Sequence, residues 1–173
     1  MNLNDCYVAC ICEGSAEQAI MELLLDSNKL IFSNEQLLEE EIIRVRGAKK
    51  FEERYLRKGF SEKITVLRIL DSRKENFKLS KTYAAKVAVI DVITAPEIEM
   101  LIIFNENKYK KFKKSKMKPN EFCKIKLKLK SIKNYEFVKD YFSDIKKLLK
   151  SIHEYRRVSN IPRHEYTLFD LLK

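Results

Sequence analysis

The chain has 173 residues, 45% of them apolar, which is enough for one domain with a real core and too apolar for a disordered segment. Its net charge of +10 is uneven. Residues 1–60 carry 8 Lys+Arg against 11 Asp+Glu, and residues 61–173 carry 27 against 14, a basic half suited to an anion such as nucleic acid. No apolar run approaches the roughly 18 residues of a membrane span, and the N-terminus lacks the basic start of a signal peptide, so a cytoplasmic protein with no membrane attachment is expected. Cys6, Cys10 and Cys12 share one face of the first strand and cannot bridge one another, and no Cys/His pair has zinc-ligand spacing. Four small buried thiols are expected.

In chain order, Cys6–Cys12 reads as an apolar strand, followed by a helix from Ser15 to Asn28 opened by a Ser15/Gln18 capping box. Ser33 and Gln36 open a second short helix, Ile42–Val45 is a short strand, and residues 48–59 form a helix ended by Gly59. Lys63–Leu70 and Lys86–Ile93 are strands of nearly continuous apolar character, as for strands buried on both faces. The polar stretch between them is a loop with one weak helix. A helix follows over 97–114, then a lysine-rich connector bounded by Pro119. The clearest amphipathic helix covers 134–158, with Phe137, Tyr141, Ile145, Leu148, Leu149 and Ile152 on one stripe, and a short helix ends the chain. Strands alternating with helices predict an α/β fold with a mostly parallel four-stranded sheet flanked by helices. Residues 1–105 would form this core, with 106–173 a basic helical extension packed on it in one globular unit.

Acids follow three of the strands. Glu13 comes directly after the first apolar run, Asp71 after Leu70, and Glu97 and Glu99 after the turn Thr94-Ala95-Pro96. In an open parallel sheet the carboxyl ends of the strands share one edge, where ligands bind. Carboxylates gathered there suit a hard cation, Mg²⁺ or Mn²⁺. Each acid also has a plainer reading: Glu13 as a helix-start acid, Asp71 as a turn residue, and Glu97 as the partner of Thr94 in a capping box. Glu99 lies on a different helix face from Glu97 and is the preferred ligand. His153 and His164 have no partner at ligand spacing, and a chain with three glycines has no glycine-built nucleotide cradle.

Three segments together resemble the Toprim domain. The apolar strand ending in Glu13-Gly14 before a helix is similar to that family's first motif, and LRILDSR (Leu67–Arg73) to its strand ending in Asp-x-Asp. The segment TAPEIEMLIIF (Thr94–Phe104) resembles the RloB-like branch, defence-associated Toprim nucleases of prokaryotes. The resemblance spans residues 5–113. It implies a Mg²⁺-dependent endonuclease cleaving phosphodiester bonds in DNA or RNA, in antiviral defence with a separately encoded ATPase. Glu13, Asp71 and Glu99 would be its catalytic acids and, with Glu97, its metal ligands. The motif departs from the pattern where Arg73 replaces the second Asp, and Glu75 lies two residues further on. That departure leaves open a single-metal site, a shell completed by substrate phosphate, or a non-catalytic nucleic-acid-binding or regulatory module with a degraded metal site.

Basic groups would hold the polyanion. Arg46 and Lys49 follow the second strand and Arg73 sits beside Asp71, which makes these three phosphate-binding candidates. The run from Lys108 to Lys133 has 12 lysines and one acid, Glu121. Lys110, Lys111, Lys113 and Lys114 within it supply sequence-independent attraction to nucleic acid. Helix 134–158 is a docking candidate for a partner, with core packing as the alternative, and the oligomeric state is left open.

Overall fold

The computed structural model describes residues 1–173 apart from Asn2, Lys58 and Ser61. Lys58, counted in the helix expected over 48–59, lies outside the described residues.

Three parallel strands form an open sheet in the order β1 (Tyr7–Cys12), β2 (Ile64–Leu70), β3 (Val87–Ile93). The register pairs Cys12 with Ile69, and Leu70 with Ile93, so all three strands run out at the same level. Every residue of the central strand β2 is buried, as its nearly continuous apolar run requires. One buried exception, Arg68, is neutralised by Asp91 at 3.0 Å and Glu75 at 3.2 Å and lies 4.9 Å over the Phe77 ring. β3 does not share this burial, contrary to expectation. Ala88, Val89 and Asp91 are exposed, because β3 is the sheet's edge and only a short helix, α3 (Lys81–Ala84), precedes it.

The expected fourth strand is not formed. Ile42–Val45 makes a single parallel bridge, Ile43 to Ile11, with the Ile43 amide donating to the Cys10 carbonyl at 2.7 Å. The preceding residues Glu39 and Glu40 hold positive φ angles of 59° and 55°, which break an extended approach. The segment therefore touches the outer side of β1 at isolated points, Leu37 and Ile43.

Helices cover both faces. On one, α2 (Ala48–Phe51) runs into a wider π-turn (Glu52–Leu56), burying Phe51 and Leu56 against Ile64 and Val66. On the other, α1 (Ser15–Asp26) and α4 (Glu97–Asn105) lie within the larger core. The helix expected over 97–114 is two helices. α4 ends before Asn107, which takes φ 55°, and α5 (Tyr109–Ser115) starts afresh. Asparagine tolerates this left-handed geometry better than most residues. The lysine-rich connector contains an unforeseen helix, α6 (Pro119–Ile125), which buries Phe122 and Cys123.

Helix 134–158 is likewise two: α7 (Tyr135–Tyr141) and α8 (Ile145–Val158). Asp144 caps α8 by accepting from the Lys146 amide at 3.0 Å, and so ends one helix to begin another. The buried residues are Val138, Phe142, Leu148, Ile152 and Tyr155, packed against α1 and α4. Of the expected stripe, Leu148 and Ile152 are buried, and Phe137, Tyr141, Ile145 and Leu149 are only half-buried. The apolar side of this segment is thus spent inside the chain.

The last turn, a 3₁₀ segment Leu168–Leu171, ties the chain's end to residues 29–31, where the Ile31 amide donates to the Leu171 carbonyl at 2.9 Å. Residues 122–171 contribute to the same core cluster as β1 and β2. All four cysteines are free and buried. No helix among the described residues is long and apolar enough to cross a membrane.

Candidate functional site

The common level of the strand ends places Glu13, Asp71 and Thr94 side by side at the carboxyl edge. The Glu13 amide donates to the Ile69 carbonyl at 2.9 Å, and the Thr94 amide to the Leu70 carbonyl at 2.8 Å. These bonds extend the ladder one residue past each strand. The Glu13 carboxylate in turn accepts from the Asp71 amide at 2.8 Å, which fixes it over the end of β2.

α4 brings Glu99 to the same edge from the other side. The link between the acids is Lys133, from the turn before α7. Its ammonium meets Asp71 Oδ2 at 2.5 Å and Glu99 Oε1 at 3.5 Å. Lys133 is itself held by its backbone, since the Ser15 hydroxyl donates to the Lys133 carbonyl at 3.0 Å. That bond replaces the expected capping box. Gln18 instead donates to Glu22, and α1 starts from Gly14 with no side-chain cap.

Two further acids complete the cluster. Glu17 is buried, and its Oε1 accepts from the Thr94 hydroxyl at 3.2 Å. A Cβ on Gly14 would come within 2.4 Å of the other Glu17 oxygen, so only glycine lets this carboxylate fold over the helix start. Glu75, held by Arg68, lies against the Glu13 carboxyl.

The electrostatics are those of crowded carboxylates, with Lys133 paired to Asp71 and Glu99 and Arg68 to Glu75. Burial raises the Glu13 carboxyl above its usual range; the Asp71 amide opposes this, while the charges of Glu75 and Asp71 add to it. Glu17 is raised by burial and by Asp71, and relieved in part by Thr94 and Lys133. For Lys133, burial disfavours the charge, but Asp71, Glu99 and Glu17 outweigh it and hold the ammonium protonated. Glu99 is 5% exposed, and its Oε2 is buried with no hydrogen-bond partner. A buried carboxylate oxygen without a partner is costly, so Lys133 leaves Glu99 under-satisfied.

The donor set is all carboxylate oxygen, which fits Mg²⁺ or Mn²⁺ rather than zinc. As the side chains stand, no group of three or more His, Cys, Asp or Glu among the described residues is arranged to hold a metal ion. The Lys133 ammonium instead bridges Asp71 and Glu99.

Glu97 is not brought to this group. It is fully buried on the far side of α4, where its Oε2 accepts from the Leu168 amide at 3.4 Å and its Oε1 has no partner. Burial pushes its carboxyl up to about 8. Nor does it form a capping box with Thr94, whose hydroxyl is taken by Glu17 and the Leu70 carbonyl.

Among the basic candidates, Arg46 reaches the edge and donates to the Glu13 carbonyl at 2.9 Å. With Arg44, which no sequence pattern singles out, it lines a cavity of about 250 Å³ beside Glu13. Lys49 lies exposed on α2. Arg73 is engaged by Glu165 at 2.8 and 2.9 Å and by the Ala95 carbonyl at 3.2 Å, so it clamps the C-terminal segment to the edge. Lys110, Lys111, Lys113 and Lys114 are exposed on α5. Tyr109 and Phe112, which alternate with them, pack on Phe104 and Phe122.

None of the family models, curated proteins or solved structures compared with this chain matches it.

Proposed function

We propose that the chain is a metal-dependent nuclease cleaving phosphodiester bonds in DNA or RNA, with Mg²⁺ or Mn²⁺ held by Glu13, Asp71 and Glu99. The observation that carries this reading is the buried, unpartnered Oε2 of Glu99 in a carboxylate cluster where Lys133 is the cation paired with Asp71 and Glu99. Oxygen ligands set at a sheet edge, with one left unsatisfied, are what a hard cation would complete. Lys133 stands in for that cation and has to withdraw before one binds.

When bound, the ion offsets charge on the phosphate and acidifies the attacking water. The residues do the rest. In the alternative arrangement, where Asp71 and Glu99 alone would hold the ion, Glu13, raised by burial and by Glu75, is the carboxylate suited to take the proton from that water. Asp71 and Glu99 position the ion, and Glu17 adds negative charge from beneath. Arg46, fixed by the Glu13 carbonyl, and Arg44 bind phosphate next to the cleaved bond. The Toprim resemblance adds the antiviral setting and a separately encoded ATPase as partner.

A second reading rests on Lys133 itself. A permanent ion pair with Asp71 and Glu99 would neutralise the cluster and leave a nucleic-acid-binding module without chemistry. Incubation of the protein with plasmid, single-stranded DNA and total RNA, with Mg²⁺, Mn²⁺ or EDTA, separates the two. The nuclease reading expects metal-dependent cleavage that Glu13→Gln, Asp71→Asn and Glu99→Gln each abolish. Binding without cleavage under all conditions supports the second.

A further inference from the structure

The far end of α4 carries a feature that the acid cluster does not use. A cavity of about 630 Å³ opens between the end of α4, the start of α5 and α8. That volume lies within the range of small-molecule sites. Phe104 and Tyr109 contribute an aromatic wall, their rings 4.9 Å apart and tilted by 33°. Lys110 from α5 and Lys147 and Lys150 from α8 also line it. All three lysines are exposed, and none is in an ion pair among the described residues.

The cavity's only acid is Glu154. Arg157 holds it through contacts of 2.7, 3.2 and 3.3 Å, and this pairing keeps its carboxyl below the usual range. Its charge is therefore already balanced, and the cavity presents a net excess of ammonium groups beside an aromatic surface. An inorganic anion would use the lysines and leave the rings idle. A neutral aromatic would do the reverse. A nucleoside phosphate uses both, stacking its base on the ring surface while its phosphates meet the lysines.

We propose that this cavity binds a nucleoside phosphate, either a free nucleotide or one unit of a single strand, at a site separate from the carboxylate edge. The site stands whether or not the acids hold a metal. Its test is run in EDTA, so that no divalent ion reports on the acid cluster.

Binding of ATP and of a 12-nucleotide oligo(dT) is measured by titration calorimetry on the full chain. The probes are compared with the wild-type protein, Lys147→Gln/Lys150→Gln and Tyr109→Leu, with circular dichroism as the check on folding. The double variant removes two exposed lysines and touches no buried residue. Tyr109→Leu keeps apolar volume and removes the ring. The double variant is expected to weaken binding roughly tenfold, through lost phosphate contacts. Loss of stacking in Tyr109→Leu is expected to weaken it about fivefold or more. ATP binding identifies a free nucleotide as the ligand, and oligo(dT) binding without ATP binding identifies a strand. Binding of neither probe overturns the proposal, as do unchanged affinities in both variants. Tripolyphosphate binding as tightly as ATP overturns it too, because the rings would then contribute nothing.

Discussion

At the scale of single residues, Asp71, Glu99 and Glu17 share Lys133, Glu13 and Glu75 lie against one another beside them, and Glu97 stands apart. Glu97 is the outlier. Its carboxyl, raised to about 8 by burial, takes up a proton on folding at neutral pH. A raised acid favours the folded state below its unfolded value, near 4.5, and that contribution is lost as pH rises toward 8. Resistance to urea should therefore fall between pH 5 and pH 8, and Glu97→Gln should flatten the fall. At about 1.4 kcal/mol for each pH unit that separates the folded from the unfolded value, the upper bound is roughly 5 kcal/mol. An identical slope in the variant would remove Glu97 as its source. Glu13 behaves in the same sense, so Glu13→Gln should raise the melting midpoint slightly at pH 8. Asp71→Asn should not, because it loses the Lys133 pair. Glu13 and Asp71 can be placed at the sheet edge from sequence because an apolar run stops and an acid follows; the same rule points to Glu97 after the third strand, and only the different helix face of Glu99 separates the two. Glu17 looked like an ordinary first-turn helix acid, and its one signal was Gly14 before it. Lys133 had no signal at all, since it is chemically identical to the other lysines of a lysine-rich run and only the turn before α7 selects it.

At the scale of elements, the strong apolar periodicities predicted where helices lie better than where they stop. Residues 134–158 keep a helical pattern throughout, yet Asp144 offers its carboxylate to a backbone amide and restarts the helix. Asp144→Ala should cost about 1 kcal/mol in equilibrium urea unfolding, the usual value of such a cap. No change would mean that packing of α8 alone sets the break. Asn107 has the same effect between α4 and α5 by accepting a left-handed backbone. Ile42–Val45 fails as a strand because its approach is kinked, something a four-residue window rich in β-branched side chains cannot disclose. For α5, Phe112 is packed on Phe122 and the lysines are exposed, so away from the cavity at Tyr109 this helix offers attraction to phosphate rather than a stacking surface. Replacing Lys110, Lys111, Lys113 and Lys114 by Gln should flatten the log–log salt dependence of nucleic-acid binding. The expected loss is about 0.7–0.9 per phosphate contact removed. A slope equal to that of the wild type would shift the electrostatic face to Arg44 and Arg46.

At the scale of the molecule, the acidic first third and the basic remainder are interleaved rather than apposed. The parallel sheet was legible because β2 is almost continuously apolar, and its helices because they alternate with strands. The basic extension is structural as well: Phe122, Val138, Phe142, Leu148 and Leu168 fill the same core as β1 and α1. One of its lysines closes the acid cluster of the sheet. The charge asymmetry read from the sequence thus conceals a specific contact, in which the basic segment supplies the counter-ion for the acidic edge. On the proposed reading, Asp71, Glu99 and Glu13 form a cation site that Lys133 occupies by default. Titration calorimetry of Mn²⁺ into the wild type, Lys133→Met and Glu99→Gln tests it directly. Saturable binding to the wild type is expected, with binding at least threefold tighter in Lys133→Met and none at the same concentrations in Glu99→Gln. Equal Mn²⁺ affinity in all three proteins, or no binding even in Lys133→Met, would contradict it.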